Sequence, residues 1–89
     1  MPSPTLKIVI ADDHEIVRQG VKNMVENEPD MEVTGEATIG RDAVDLVVRL
    51  KPDVVVLDIS MPGLNGIEAT RQILKICPKT KILMFTMHD

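Results

Sequence analysis

Eighty-nine residues allow one domain with a modest core, since a chain of this size buries only about 60–65% of its unfolded surface. Its 44% apolar and 27% charged residues are globular proportions, without the biased tracts of disordered or fibrous chains. A single aromatic, Phe85, excludes base stacking on aromatic side chains, and a net charge of −4 opposes attachment to a phosphate backbone, so this segment is expected to make no direct nucleic-acid contact.

Residues 1–5 (Met-Pro-Ser-Pro-Thr) read as a short tail and lack the positive-then-apolar pattern of a secretory signal. No apolar run approaches the ~20 residues that span a bilayer, so no membrane contact is expected. The lone Cys77 forms no internal disulfide, which fits a reducing compartment, and a cytoplasmic location is the expectation.

Leu6 to Ala11 is an apolar run and predicts a first strand. Glu15 to Glu28 has helical periodicity, with Ile16, Val17, Gly20, Val21, Met24 and Val25 on one stripe. Met31 to Ala37 alternates weakly, as an edge strand does. Gly40 to Leu50 predicts a second helix with Ala43, Val44, Val47 and Leu50 inward, ending before Pro52. Val54 to Leu57 is uninterruptedly apolar, the pattern of a central strand covered on both faces. Residues 61–66 form a loop in which Asn65 and Glu68 have capping-box spacing. A third helix carries Ile67, Thr70, Ile73, Leu74 and Cys77 and ends at Pro78, and Lys81 to Thr86 is the fourth strand. The order βαβαβαβ implies an α/β fold with a parallel sheet and right-handed crossovers.

In such a sheet the carboxyl ends of the strands share one edge, where open α/β folds place ligand sites. Asp12 and Asp13 follow the first strand, Asp58 ends the third, and Thr86 closes the fourth. Clustered carboxylates repel one another and call for a compensating cation, and magnesium prefers such hard oxygen ligands. A carboxylate beside magnesium is a competent nucleophile toward phosphorus, with Thr86 placed to hydrogen-bond a phosphoryl oxygen. Asp12 and Asp13 also suit an N-cap of the first helix, and the two roles are compatible. His14 is expected to cap or face solvent rather than ligate. Asp53, about 16 Å from Asp58 along an extended strand, belongs to the opposite sheet edge as a strand-entry turn residue. Cys77 suits a small buried hydrophobe, and His88 and Asp89 suit a disordered chain end.

Asp12-Asp13-His14, the run Val54-Val55-Val56-Leu57-Asp58-Ile59-Ser60-Met61-Pro62-Gly63, Asn65-Gly66 and the strand ending at Thr86 resemble the receiver domain of bacterial two-component response regulators. Ala11 to His14, Arg18-Gln19-Gly20 and Asp58 to Pro62 look most like the NarL/FixJ subfamily. The resemblance implies a flavodoxin-like, doubly wound parallel sheet. It implies Asp58 as the phosphoacceptor for a sensor histidine kinase. It assigns Asp12, Asp13, Asp58 and the main-chain carbonyl of Ser60 to Mg2+, and Thr86 to the switch hydroxyl. Control of transcription would run through a DNA-binding output domain not present in residues 1–89.

Relative to that pattern, residues 6–89 read as an incomplete receiver lacking its last helix-strand-helix segment and, with it, the lysine that pairs with the phosphoryl group. Lys79 and Lys81 precede the fourth strand at its wrong end. Loss of one such donor costs about 2.7–4 kcal/mol in the transition state, so slow phosphorylation is expected. An uncovered fourth strand also invites pairing with another chain, and self-association is expected. The leading reading is a phosphoacceptor module that turns over no external substrate as an enzyme. The alternative is an inactive, self-associating receiver fragment with a structural role. A haloacid-dehalogenase-type hydrolase needs a second aspartate where Ser60 stands. A dinucleotide-binding domain needs G-x-G-x-x-G where Asp12 to Ile16 stand.

Overall fold

The computed structural model describes residues 5–61 and 66–85. Four parallel strands, β1 (Leu6–Ala11), β2 (Met31–Ala37), β3 (Val54–Asp58) and β4 (Lys81–Phe85), alternate with three helices, α1 (Glu15–Glu26), α2 (Gly40–Leu50) and α3 (Gly66–Ile76). The strand order is β2-β1-β3-β4. This is the flavodoxin-like, doubly wound α/β architecture, with the parallel pairing that the element order implies.

Strand alternation separates two cores. Val9, Ala11, Val55 and Leu57 face α2 and α3, meeting Ala43, Val44, Val47, Ala69 and Ile73. Ile8, Ile10 and Val56 face the other way toward Val25 and the partly buried Val21 of α1. Each fully buried Val, Leu or Ile side chain contributes about 1.5–3 kcal/mol, which makes the α2/α3 face the main source of stability. β1 pairs with both β2 and β3, and a register shift between Ile8 and Val9 leaves Thr34 outside the pairing. Thr34 uses that position to donate its hydroxyl to the Ile8 carbonyl at 3.4 Å.

The strands match their expected spans closely, whereas the helical faces are corrected. α1 ends at Glu26, two residues before the expected limit, and Ile16 and Met24 are 87% and 70% exposed. In α3, Ile67 is 60% exposed and Leu74 also faces solvent, with Ala69 and Ile73 as the buried residues. Leu50 of α2 is likewise exposed. The physical reason is shared: the apolar stripe is wider than the strip of sheet that each helix covers. α1 in particular borders an open apolar groove of about 600 Å³ floored by Ile8, Val54, Val56, Leu83 and Phe85.

At the amino end of the sheet, Asp53 does what its position implies. Its carboxylate accepts the Lys7 amide at 2.8 Å, and its own N–H donates to the Lys7 carbonyl at 2.8 Å. Asp53 thus ties β1 to β3 far from Asp58. The expected capping residue Asn65 lies outside the described residues. Glu68 sits in the first turn of α3 and pairs with Arg71 at 3.7 Å.

Candidate functional site

Ala11 of β1 pairs with Leu57 of β3, so the next residues, Asp12 and Asp58, emerge side by side at the carboxyl edge. β1 leads to α1 on one face and β3 leads to α3 on the other, so the crevice between them is the topological switch point of the sheet. Both carboxylates have 0% exposure. In each, one oxygen is satisfied and one is not.

Asp12 Oδ1 accepts the His14 backbone N–H at 2.7 Å and stands 2.9 Å from His14 Nδ1. Asp58 Oδ1 accepts the Ser60 backbone N–H at 2.9 Å and the Ser60 hydroxyl at 2.8 Å. Both are turns in which an aspartate binds the amide two residues on, a local habit of that side chain. Asp12 Oδ2 and Asp58 Oδ2 are buried without a hydrogen-bond partner. A buried, unpaired carboxylate oxygen is costly, and a hard cation is the partner whose chemistry such oxygens fit. Asp13 is more exposed and joins the cluster from its rim.

Two placements differ from the sequence reading. The N-cap position of α1 belongs to His14, not to Asp12 or Asp13, and its side chain makes no capping hydrogen bond. The imidazole instead turns into the acidic cluster. Its Nδ1 lies 3.1 Å from Asp13 Oδ1 and 3.6 Å from Asp58 Oδ2. The hydrogen bond that the ring makes to Asp12 Oδ1 raises its pKa above the usual 6.5; desolvation lowers it by less, and the charges of Asp13, Asp12 and Asp58 add to the rise. Ser60, whose main-chain carbonyl the resemblance assigns to the ion, also orients Asp58 through its amide and hydroxyl, a role the sequence reading did not name. The aspartate-x-serine spacing was the available signal for that turn. Thr86, His88 and Asp89 lie outside the described residues.

Supporting contacts lock the crevice. Arg18 donates to the Asp12 carbonyl at 3.0 Å and pairs with Glu36 of β2 at 3.2 Å, while Lys22 reaches the same glutamate at 3.4 Å. Ile59 N–H donates to the Phe85 carbonyl at 2.9 Å, continuing the ladder past Asp58. Gly66 then packs so closely that a Cβ there would stand 2.3 Å from Ile59 Cα and 2.9 Å from the Asp58 carbonyl oxygen. Lys81 lies at the amino end of β4, the opposite edge from Asp58, which pairs with Phe85.

A family model described as the response regulator receiver domain matches residues 8–89. The chain is 44% identical over 84 residues to the transcriptional regulatory protein DegU of Brevibacillus brevis, covering 94% of this chain and 36% of that protein. The response regulator domain of Thermotoga maritima CheB superposes with a TM-score of 0.88 at 40% identity, covering 92% of this chain and 60% of that one. A LuxR-family two-component response regulator from Aurantimonas sp. SI85-9A1 gives a TM-score of 0.88 at 42% identity, over 96% of this chain and 61% of that one. With its strand order, its acidic crevice and these matches, the chain belongs to the response regulator receiver domain family, among relatives of the NarL/LuxR type.

Proposed function

We propose that this chain is the phosphoacceptor module of a two-component response regulator in the cytoplasm, with Asp58 taking a phosphoryl group from a sensor histidine kinase. The observation that carries this reading is the pair of fully buried carboxylates, Asp12 and Asp58, side by side at the carboxyl edge and each with one buried oxygen left without a hydrogen-bond partner. Receiver domains bind Mg2+ at an acidic pocket, and Asp12, Asp13 and Asp58 form such a cluster. Magnesium, when bound, neutralises the carboxylates and the incoming phosphoryl oxygens.

The transfer then rests on this chain's own groups. The Asp58 carboxylate attacks phosphorus, an O–P bond forms as the N–P bond to the kinase's histidine breaks, and the electron pair returns to the imidazole nitrogen. Ser60, through two bonds to Asp58 Oδ1, fixes the carboxylate plane so that attack costs little reorientation. Assigned by resemblance, the Ser60 carbonyl would join Asp12, Asp13 and Asp58 at the ion, and Thr86 would hydrogen-bond the transferred group. As a phosphoacceptor the module consumes its own carboxylate and turns over no external substrate. Because the chain spans 36% of DegU, control of transcription through a DNA-binding portion is proposed for the longer protein.

Intact-mass spectrometry after incubation with acetyl phosphate and Mg2+ tests this reading. One phosphate adduct is expected, lost in Asp58→Asn; an adduct that persists in that variant overturns Asp58 as the acceptor.

A second reading, self-association of the chain with a structural role, is favoured by one observation. β4 is an edge strand with Leu83 and Met84 exposed, and the groove beside α1 continues onto it.

A further inference from the structure

His14 is the part of the crevice that the phosphoacceptor chemistry does not use. We propose that its imidazole is a further ligand of the cation site, giving this cluster a preference for borderline transition-metal ions over magnesium. The inference rests on the reading that Asp12 and Asp58 hold a divalent cation, and it goes beyond it by naming a nitrogen donor and the metal class that follows.

Geometry is the first support. Cis donors around an octahedral ion stand about 3.0 Å apart at bond lengths of about 2.1 Å. His14 Nδ1 lies 2.9 Å from Asp12 Oδ1, 3.1 Å from Asp13 Oδ1 and 3.6 Å from Asp58 Oδ2. One atom from each of the four residues falls within 4.8 Å of all the others. The first two separations from His14 Nδ1 are those of cis donors on one small ion, and the Asp58 oxygen stands slightly beyond that spacing.

The second support is independent of the cluster's charge. Asp12 Oδ2 and Asp58 Oδ2 are buried and have no hydrogen-bond partner, so donor capacity is left over after every protein contact is made. The third is local construction. The His14 amide donates to Asp12 Oδ1, which folds residue 14 back over residue 12 and carries the ring to the crevice rather than to the helix end. With its side chain 45% exposed, the ring can admit an ion from solvent and stay in reach of the buried oxygens.

An all-oxygen set suits magnesium, whereas an imidazole nitrogen raises affinity for manganese, cobalt, nickel and zinc in the order of their Lewis acidity. A histidine that serves only as a hydrogen-bonded neighbour of Asp12 would not distinguish among the ions. That difference decides the test.

Electron spin echo envelope modulation of the full chain loaded with Mn2+ reads directly bound nitrogen. The expected result is an imidazole 14N modulation in the unaltered chain and in His88→Ala, lost in His14→Ala. In parallel, calorimetry with Ni2+ and with Mg2+ should show that His14→Ala lowers Ni2+ affinity by about tenfold or more and leaves Mg2+ affinity nearly unchanged. Mn2+ bound without a nitrogen signal, or equal loss of Ni2+ and Mg2+ affinity, overturns the His14 ligand while leaving the carboxylate site intact. Failure of the unaltered chain to bind any of the three ions overturns the cation site itself and the inference with it.

Discussion

Asp12 and Asp58 are the same residue type at equivalent register, and their environments explain why both are needed and neither is comfortable. Each satisfies one oxygen through its own downstream amide and leaves the other buried and bare. Without a cation the two charges oppose each other in a crevice of low dielectric. Asp12→Asn keeps an oxygen acceptor for the His14 amide while removing one charge. It is expected to stabilise the metal-free chain by about 1 kcal/mol and to weaken Mg2+ binding. Thermal melts with and without Mg2+ check both parts, and a variant that is destabilised in chelator argues against like-charge strain. Asp12, Asp13 and Asp58 were legible as a set because each ends a recognisable apolar run. The direction of the His14 ring was not, since a residue at a helix start has cap, solvent and crevice within reach of the same backbone.

At the scale of elements, two joints hold the crevice in place. Gly66 begins α3 against the backbone of Ile59 and Asp58, and a methyl group there has no space. Gly66→Ala is expected to cost about 3 kcal/mol or more, because the obstructing atoms are backbone and cannot swing aside. Chemical denaturation measures this, and a loss well under that value would mean that the α3 start shifts readily. Lys51 closes α2 in the left-handed region at φ 48°, a conformation glycine adopts without steric cost. Lys51→Gly is accordingly expected to stabilise the chain by about 1 kcal/mol, also read from denaturation midpoints. Strand limits were legible because each strand is preceded, two or three residues upstream, by a proline, at Pro4, Pro29, Pro52 and Pro78. Helix faces were less so. The stripes of α1 and α3 name more apolar residues than the sheet covers, and periodicity carries no information on how much surface a neighbouring layer supplies.

For the whole molecule the two sheet faces are unequal. α2 and α3 seal one, while among the described residues α1 is the only helix on the other and leaves the groove that reaches β4. β4 exposes Leu83, at 61%, and Met84, and is the outermost strand among the described residues. The 89-residue chain is therefore expected to associate with itself at micromolar concentration, with light scattering giving a mass above one chain; a monomer across that range would exclude the second reading. Leu83→Lys, which places a charge on the edge, should shift the equilibrium toward monomer.

Element order, parallel pairing and the gathering of Asp12, Asp13 and Asp58 at one sheet edge followed from sequence by itself, because each depends on local periodicity and on the handedness that every crossover shares. Which oxygen of each carboxylate stays bare, where the His14 ring points and how much of α1 stays uncovered were decided only by tertiary structure. These depend on distances between segments far apart in the chain, set by the packing of the layers rather than by any one run of residues.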